Sequence, residues 1–274
     1  MLNRSLLLDG VSEIFIVTSR ITLVTFLISL YCFKEFFSEL NLSFFFKGCL
    51  TGFLAIFIPG WTFIYALKNI SSGLQSIFIS TIPLFTVFWV LLFFKEEKIT
   101  RIKLISVLIG LIGLVILFFS GETGLSKEGD LITGGLLALV GVQGLALSNI
   151  TNKKHLKYIP GKTYLLTQWL FGAGLSIILF FTLGGEIEIL SLSESLKLTG
   201  LAFIDIFNYS LFLYTIKRFS ATFTTLVDYI VPIVGILMGY IFLNEVISNV
   251  FFVTLLLIFI SLYLAVKDES NSLS

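Results

Sequence analysis

Charge is scarce along this chain: of 274 residues only 13% are charged, against 57% hydrophobic and 30 phenylalanines. With a mean hydropathy of +1.02, a water-soluble core of this size could not hide the apolar surface, and the composition implies an integral membrane protein. The net charge of +1, with cations gathered between apolar segments, excludes a nucleic-acid footprint. Cysteine is limited to Cys32 and Cys49, which sit in or beside apolar runs without metal-ligand spacing and are expected to pack as small hydrophobes. The single histidine, His155, lies in a basic loop and is expected to be solvated. Met1–Gly10 lacks a basic leader followed by an apolar stretch and a cleavage site. No nucleotide-binding loop and no metal or cofactor motif is present, so no cofactor is expected.

Proline is equally scarce, with four in the chain, and two of them expose an internal repeat. Phe63–Glu96 and Phe212–Glu245 align at a constant offset of 149 residues. Seven of 34 positions are identical: Phe63 with Phe212, Tyr65 with Tyr214, Lys68 with Lys217, Ser71 with Ser220, Pro83 with Pro232, Phe93 with Phe242, and Glu96 with Glu245. Apolar matches carry little information here, but coincident prolines followed 13 residues later by glutamate indicate duplication.

Apolar segments able to cross about 30 Å of hydrocarbon as helices are expected at Glu13–Phe33, Gly48–Ala66, Gly73–Phe94, Leu104–Ser120, Leu131–Ile150, Thr163–Leu183, Thr199–Ile216, Thr222–Leu243 and Val250–Val266. The longest connections, Gly121–Asp130, Thr151–Lys162 and Gly184–Leu198, leave no room for a soluble domain, so the expected fold is an all-α transmembrane bundle of nine spans.

Cations alternate between the two sides. Thirteen fall on one: Lys34, Lys47, Lys95, Lys98, Arg101, Lys103, Lys153, Lys154, Lys157, Lys162, Lys217, Arg218 and Lys267. Four fall on the other, Arg4, Lys68, Lys127 and Lys197, while Arg20 lies inside a span. The positive-inside rule makes the first side cytoplasmic, with the C-terminus inside and Met1 outside. The two copies of the repeat then run in opposite directions, which is an inverted repeat, an architecture of many secondary transporters. The offset gives Leu131–Ile150 a counterpart at positions −18 to 1, so one helix of the first repeat is expected to be missing from the sequence, with a late start favoured over a nine-span variant.

Ala66, Leu67, Ser71, Pro83 and Glu96 with Gly110 and Gly113, their counterparts Ser220, Ala221, Pro232 and Glu245, and Arg20 in a helix like the second of the family together resemble the EamA-like branch of the drug/metabolite transporter superfamily. The resemblance covers nearly the whole chain. It implies a ten-helix pattern of two inverted five-helix repeats, with residues 1–123 as the first, incomplete repeat, 124–267 as the second and 268–274 as a cytoplasmic tail. Two departures stand out: the glycine usual before the repeated glutamate is Lys95 in one copy and Asn244 in the other, and the first helix is absent.

Ionisable groups inside a span cost at least about 2.5 kcal/mol when they face lipid, so they face the interior, a cavity or a partner. Asp205 lies mid-span, with Asn208 and Tyr209 following at helical spacing on one polar face. Asp228, with Tyr229 beside it, has Ile79 as its repeat counterpart, which suggests a one-sided specialisation for substrate or protons; a snorkelling carboxylate is the plainer alternative. Arg20 should lie at the depth of Asp205, as its ion-pair partner or as a holder of an anionic group. Gln75, Gln143, Asn149 and Gln168 add uncharged polarity, and Trp61, Trp89 and Trp169 are either packing or pocket aromatics. Pro83 and Pro232 are expected to kink their helices as paired hinges. Glu96 and Glu245 are expected to anchor helix ends to the next loop. Gly48 with Gly52, and Gly235 with Gly239, have the small-xxx-small spacing of close helix packing.

The expected function is a secondary transporter, an exporter of a small metabolite such as an amino acid or related organic solute, with proton coupling through Asp205 or Asp228. Expected partners are the solute, protons and the lipid of a bacterial plasma membrane, with no nucleic acid, the protein being a monomer or homodimer. A non-transporting scaffold or channel remains open. An intramembrane aspartic protease fits less well, because the aspartates stand in FIDIF and LVDYIV rather than Tyr-Asp and Gly-x-Gly-Asp contexts.

Overall fold

The computed structural model describes residues 1–39, 41–93, 100–126, 129–218 and 231–273, and among these every regular element is a helix. In chain order they are α1 (Leu2–Leu8), α2 (Glu13–Glu39), α3 (Leu42–Gly52), a π-helical turn at Phe53–Phe57, α4 (Ile58–Ala66), α5 (Ser72–Ile79), α6 (Ile82–Phe93), α7 (Arg101–Ser120), α8 (Leu131–His155), α9 (Gly161–Thr182), α10 (Leu192–Arg218), α11 (Val231–Leu243) and α12 (Asn249–Leu273).

Helix starts follow local chemistry. The Asn41 carboxamide accepts the Phe44 N–H at 2.9 Å, and the Ser71 hydroxyl accepts the Leu74 N–H at 2.9 Å, each satisfying an orphan donor of the first turn. Asp130 does the same for Ile132 and Thr133 at the head of α8. Prolines explain two irregularities. Pro59 has no N–H to return to the preceding turn, and just before it the Ile58 N–H reaches back five residues to the Phe53 carbonyl, forming the π turn. Pro83 is the second residue of α6, two residues past a break at Ser80–Thr81 where the Thr81 N–H takes the tighter bond to the Phe78 carbonyl. The expected span Gly73–Phe94 is therefore two helices meeting at a break, since Pro83 cannot donate to the Ile79 carbonyl. Pro232, the repeat counterpart of Pro83, lies in α11.

Six helical stretches are long and apolar enough to cross a membrane: Glu13–Glu39, Leu42–Ala66, Ser72–Val90, Leu131–His155, Gly161–Thr182 and Leu192–Thr215. Leu104–Ser120, Val231–Leu243 and Asn249–Leu264 are apolar but shorter, where three further spans were expected. Large side chains such as Phe26, Leu30, Phe119 and Phe207 are exposed, which suits contact with lipid rather than water. The chain is a multi-pass membrane protein.

The helices gather into two compact units, each taking elements from both halves of the sequence. In the unit of residues 2–64 and 151–221, α2 packs along α9, α3 lies against α9, α10 lies against α2, and α1 joins α10. A Cβ on Gly52 would collide with the Gln168 carbonyl oxygen, so only glycine lets the end of α3 approach the α9 backbone this closely. The Glu188 carboxylate accepts the Ser12 N–H at 3.0 Å, and Lys197, in the first turns of α10, pairs with Asp9 while donating to Ser5 Oγ at 2.8 Å.

In the unit of residues 65–150 and 222–274, α12 packs along α7, and α11 packs along α5. Ser261 and Thr254 reach across from α12 to the carbonyls of Ser106 (2.6 Å) and Gly113 (3.3 Å) on α7. At one end Asn244 takes a left-handed conformation (φ 53°) and turns Glu245 back over α11. The Glu245 carboxylate then accepts the Ser72 N–H (2.7 Å), the Gly73 N–H (3.0 Å) and the Ser72 hydroxyl (2.9 Å), capping α5. Glu245 thus anchors a helix end, but that of the distant α5 and not its own following loop, because the first N–H groups of α5 would otherwise be buried without acceptors. Glu96 lies outside the described residues.

Candidate functional site

The polar atoms of the unit built on α2, α9 and α10 converge on the middle of its spans. Asp205 is at the midpoint of α10, 13 residues from either end. Arg20, two turns into α2, meets it with two parallel bonds, Nε to Oδ2 at 2.5 Å and Nη2 to Oδ1 at 2.7 Å. The side chains are 23% and 17% exposed, so the pair is largely withdrawn from solvent. Two charges in hydrocarbon are tolerable only together, and the fork of a guanidinium matches both oxygens of a carboxylate.

One turn further along α10, the Tyr209 hydroxyl donates to Gln168 Oε1 on α9. Gln168 Nε2 in turn donates to Asn152 Oδ1 at 3.2 Å, near the end of α8. Gln168 and Asn152 are both fully buried. The Tyr209 ring is set edge-on to Trp169 (centroids 5.9 Å) and stacks on Phe212 (6.0 Å), so it is fixed on both sides. Asn208, expected on the same polar face, is exposed instead, because it lies 100° round the helix from Tyr209.

A second set of polar contacts lies one turn earlier on α9. The Tyr164 hydroxyl donates to Thr51 Oγ1 at 2.7 Å, and Thr51 donates to the Lys47 carbonyl at 3.0 Å. His155 Nδ1 lies 3.1 Å from the Tyr164 hydroxyl, with the rings edge to face. His155 is therefore half-buried and bonded rather than solvated: the helix α8 runs on to it, drawing it out of the expected loop and against α9. Nearby, Lys162 pairs with Glu35 at 2.5 Å.

Trp61 is buried and donates from Nε1 to Ser176 Oγ at 3.0 Å, tying α4 to α9. In the other unit Trp89 Nε1 donates to Gln143 Oε1 at 2.6 Å, Asn149 lies 3.5 Å from Thr86 Oγ1, and Gln75 is buried with Oε1 unpartnered. Asp228 and Tyr229 lie outside the described residues. Cys32 and Cys49 are buried free thiols. No group of three metal-holding side chains occurs among the described residues.

The chain is similar to known proteins in three respects. A family model described as the EamA-like transporter family matches residues 4–119 and 132–267, two repeats. An uncharacterized transporter of Clostridium kluyveri is 28% identical over 200 residues, covering 72% of this chain. The chain spans 64% of the length of that relative. A crystal structure aligned over 96% of this chain and 93% of its own has a TM-score of 0.64 at 18% identity, a likeness of fold alone. The family model and the relative are both described as transporters. With family matches that together take in most of the sequence and all-helical, apolar architecture, this chain belongs to the EamA-like transporter family.

Proposed function

We propose that the protein is a secondary transporter, working as an exporter, that carries a small metabolite such as an amino acid or related organic solute across a bacterial plasma membrane. The observation that carries this reading is the polar path inside otherwise apolar spans, from Arg20 and Asp205 through Tyr209 to Gln168 and Asn152. A purely structural ion pair would not need a run of buried amide and hydroxyl groups beside it, whereas a solute crossing the membrane needs such groups in place of water.

The carrier works by alternating access between inverted repeats, with nine spans of a five-plus-five plan and the C-terminus in the cytoplasm. Helix pairing supports the two-fold relation between the repeats. Under the offset of 149 residues α2 corresponds to α9 and α3 to the first part of α10, so the pairs α3 with α9 and α10 with α2 exchange as a two-fold relation requires. Transport is coupled to protons through Asp205 or Asp228.

The test is counterflow in proteoliposomes loaded with an unlabelled pool of amino acids and given the labelled pool outside. Transient accumulation of label identifies a carrier; flux without accumulation identifies a channel, and no flux a scaffold, either of which overturns the proposal. The double variant D205N/D228N should lose the response to a pH gradient. Unchanged coupling would remove the proton from the mechanism.

A further inference from the structure

Three tryptophans occur in the sequence, and two have their indole N–H occupied, Trp61 by Ser176 and Trp89 by Gln143. Trp169 differs. It is 4% exposed, and its Nε1, a group that can only donate, has no partner. The Trp169 carbonyl is engaged, accepting from Thr25 at 3.1 Å, and the ring is set against Tyr209, so the side chain is fixed while its one polar atom is not used.

Its surroundings on α2 share the feature. On α2, Thr18 and Thr22 flank Arg20, and both hydroxyls are buried and unpartnered. This departs from the pattern of the molecule: Thr25, Thr51, Thr62, Thr86 and Thr167 each donate to the carbonyl four residues earlier. Each unpartnered buried donor costs on the order of 1–3 kcal/mol, and protein interiors rarely tolerate several together unless water or a ligand supplies the missing atoms.

We infer that Trp169 is a specificity-determining residue: its indole N–H faces an aqueous subsite beside Tyr209 and donates to a carbonyl or carboxylate oxygen of the transported solute. The inference rests on the transporter reading and sharpens it. The free group at Tyr209 is a donor, so the subsite accepts oxygen acceptors and rejects a solute that offers only an ammonium or hydrocarbon there. The edge-on Tyr209 ring holds the indole in place before the solute arrives, and this lowers the cost of binding.

The test uses Trp169 as its own reporter. In the W61F/W89F variant reconstituted in liposomes, Trp169 is the sole indole, and its fluorescence is measured with acrylamide in the water phase and with dibrominated acyl chains in the bilayer. Quenching by acrylamide and not by the brominated lipid is expected. Quenching by brominated lipid alone, or by neither, would place Trp169 in lipid or in dry packing and overturn the inference. If that variant does not fold, the difference in quenching between the wild type and W169F yields the same contrast. In counterflow of the amino-acid pool, W169F keeps an aromatic ring, smaller than the indole, and loses the donor; it should raise KM about tenfold, the worth of one hydrogen bond to solute, with kcat changed less than about twofold. An unchanged KM removes the donor role. Failure of wild-type counterflow with acrylamide quenching intact refutes the transporter reading and leaves the aqueous subsite, whereas active counterflow with an unquenched Trp169 refutes the subsite alone.

Discussion

Arg20 and Asp205 are separated by 185 residues, and the two parallel bonds between them join α2 to α10 at the midpoint of the latter. Breaking the pair from one side leaves a charge in the spans with no counter-charge. Arg20→Gln and Asp205→Asn should each lower stability by about 3 kcal/mol, while the apolar double variant R20L/D205L should recover most of the loss. Thermal unfolding of the detergent-solubilised variants, followed by size-exclusion chromatography, measures this. A double-variant loss equal to the sum of the two single losses would show that the charges do not depend on each other.

Tyr209 is held by its hydroxyl as well as its ring. Tyr209→Phe keeps both ring contacts and removes the donor to Gln168 Oε1, which is fully buried. The expected cost is about 1–2 kcal/mol of stability, with a fall in transport that Gln168→Leu in the same chain does not deepen. A double-mutant cycle on transport rate checks the coupling.

The Glu245 cap makes a prediction for the other unit. Glu245→Ala removes the acceptor of three hydrogen bonds to Ser72 and Gly73 and should destabilise that unit by about 1–3 kcal/mol. Faster hydrogen exchange at the amides of residues 72 and 73 is the direct readout. Gly239→Ala should act in the same direction, because its Cβ would collide with the Glu245 carboxylate, whereas Gly174→Ala, which has open space, should be nearly silent.

At the head of α8 the acid dependence has a definite sign. The Thr133 hydroxyl, the Thr133 N–H and the Ile132 N–H hold the carboxyl of Asp130 below its ordinary range. A depressed carboxylate stabilises the fold above its unfolded pKa, and that contribution disappears as pH falls through the lower, folded value. Exchange of the Ile132 and Thr133 amides should therefore accelerate, beyond the intrinsic pH trend, when pH drops below the usual aspartate range. Asp130→Asn should flatten that response.

Much of the site was legible in composition and depth. An arginine and an aspartate inside apolar runs can persist only with a partner, and their similar depth already made them candidates for each other. Gln168 and Tyr209 stood out for the same reason. Asn152 did not, because it sits between Thr151 and Lys153 in what reads as a basic loop, and only the extension of α8 to His155 carries it into the interior. Tyr164 and Thr51 carried no signal, since a tyrosine and a threonine at helix ends are as often solvated as buried. The target of Glu245 was equally hidden: its position at a helix end was plain, but the helix it caps begins 173 residues earlier in the chain.

The sequence by itself determined that the chain lives in a membrane, that it is helical, and that it contains a duplicated stretch centred on Pro83 and Pro232. These follow from hydropathy and periodicity, which are local sums over neighbouring residues. Tertiary structure decided which helices meet, that Arg20 closes on Asp205, that Glu245 caps α5, and that Trp169 alone of three tryptophans keeps an unused donor. Those outcomes depend on close approaches such as Gly52 against the Gln168 carbonyl and on hydrogen bonds between residues far apart in the chain, and no local sum contains them.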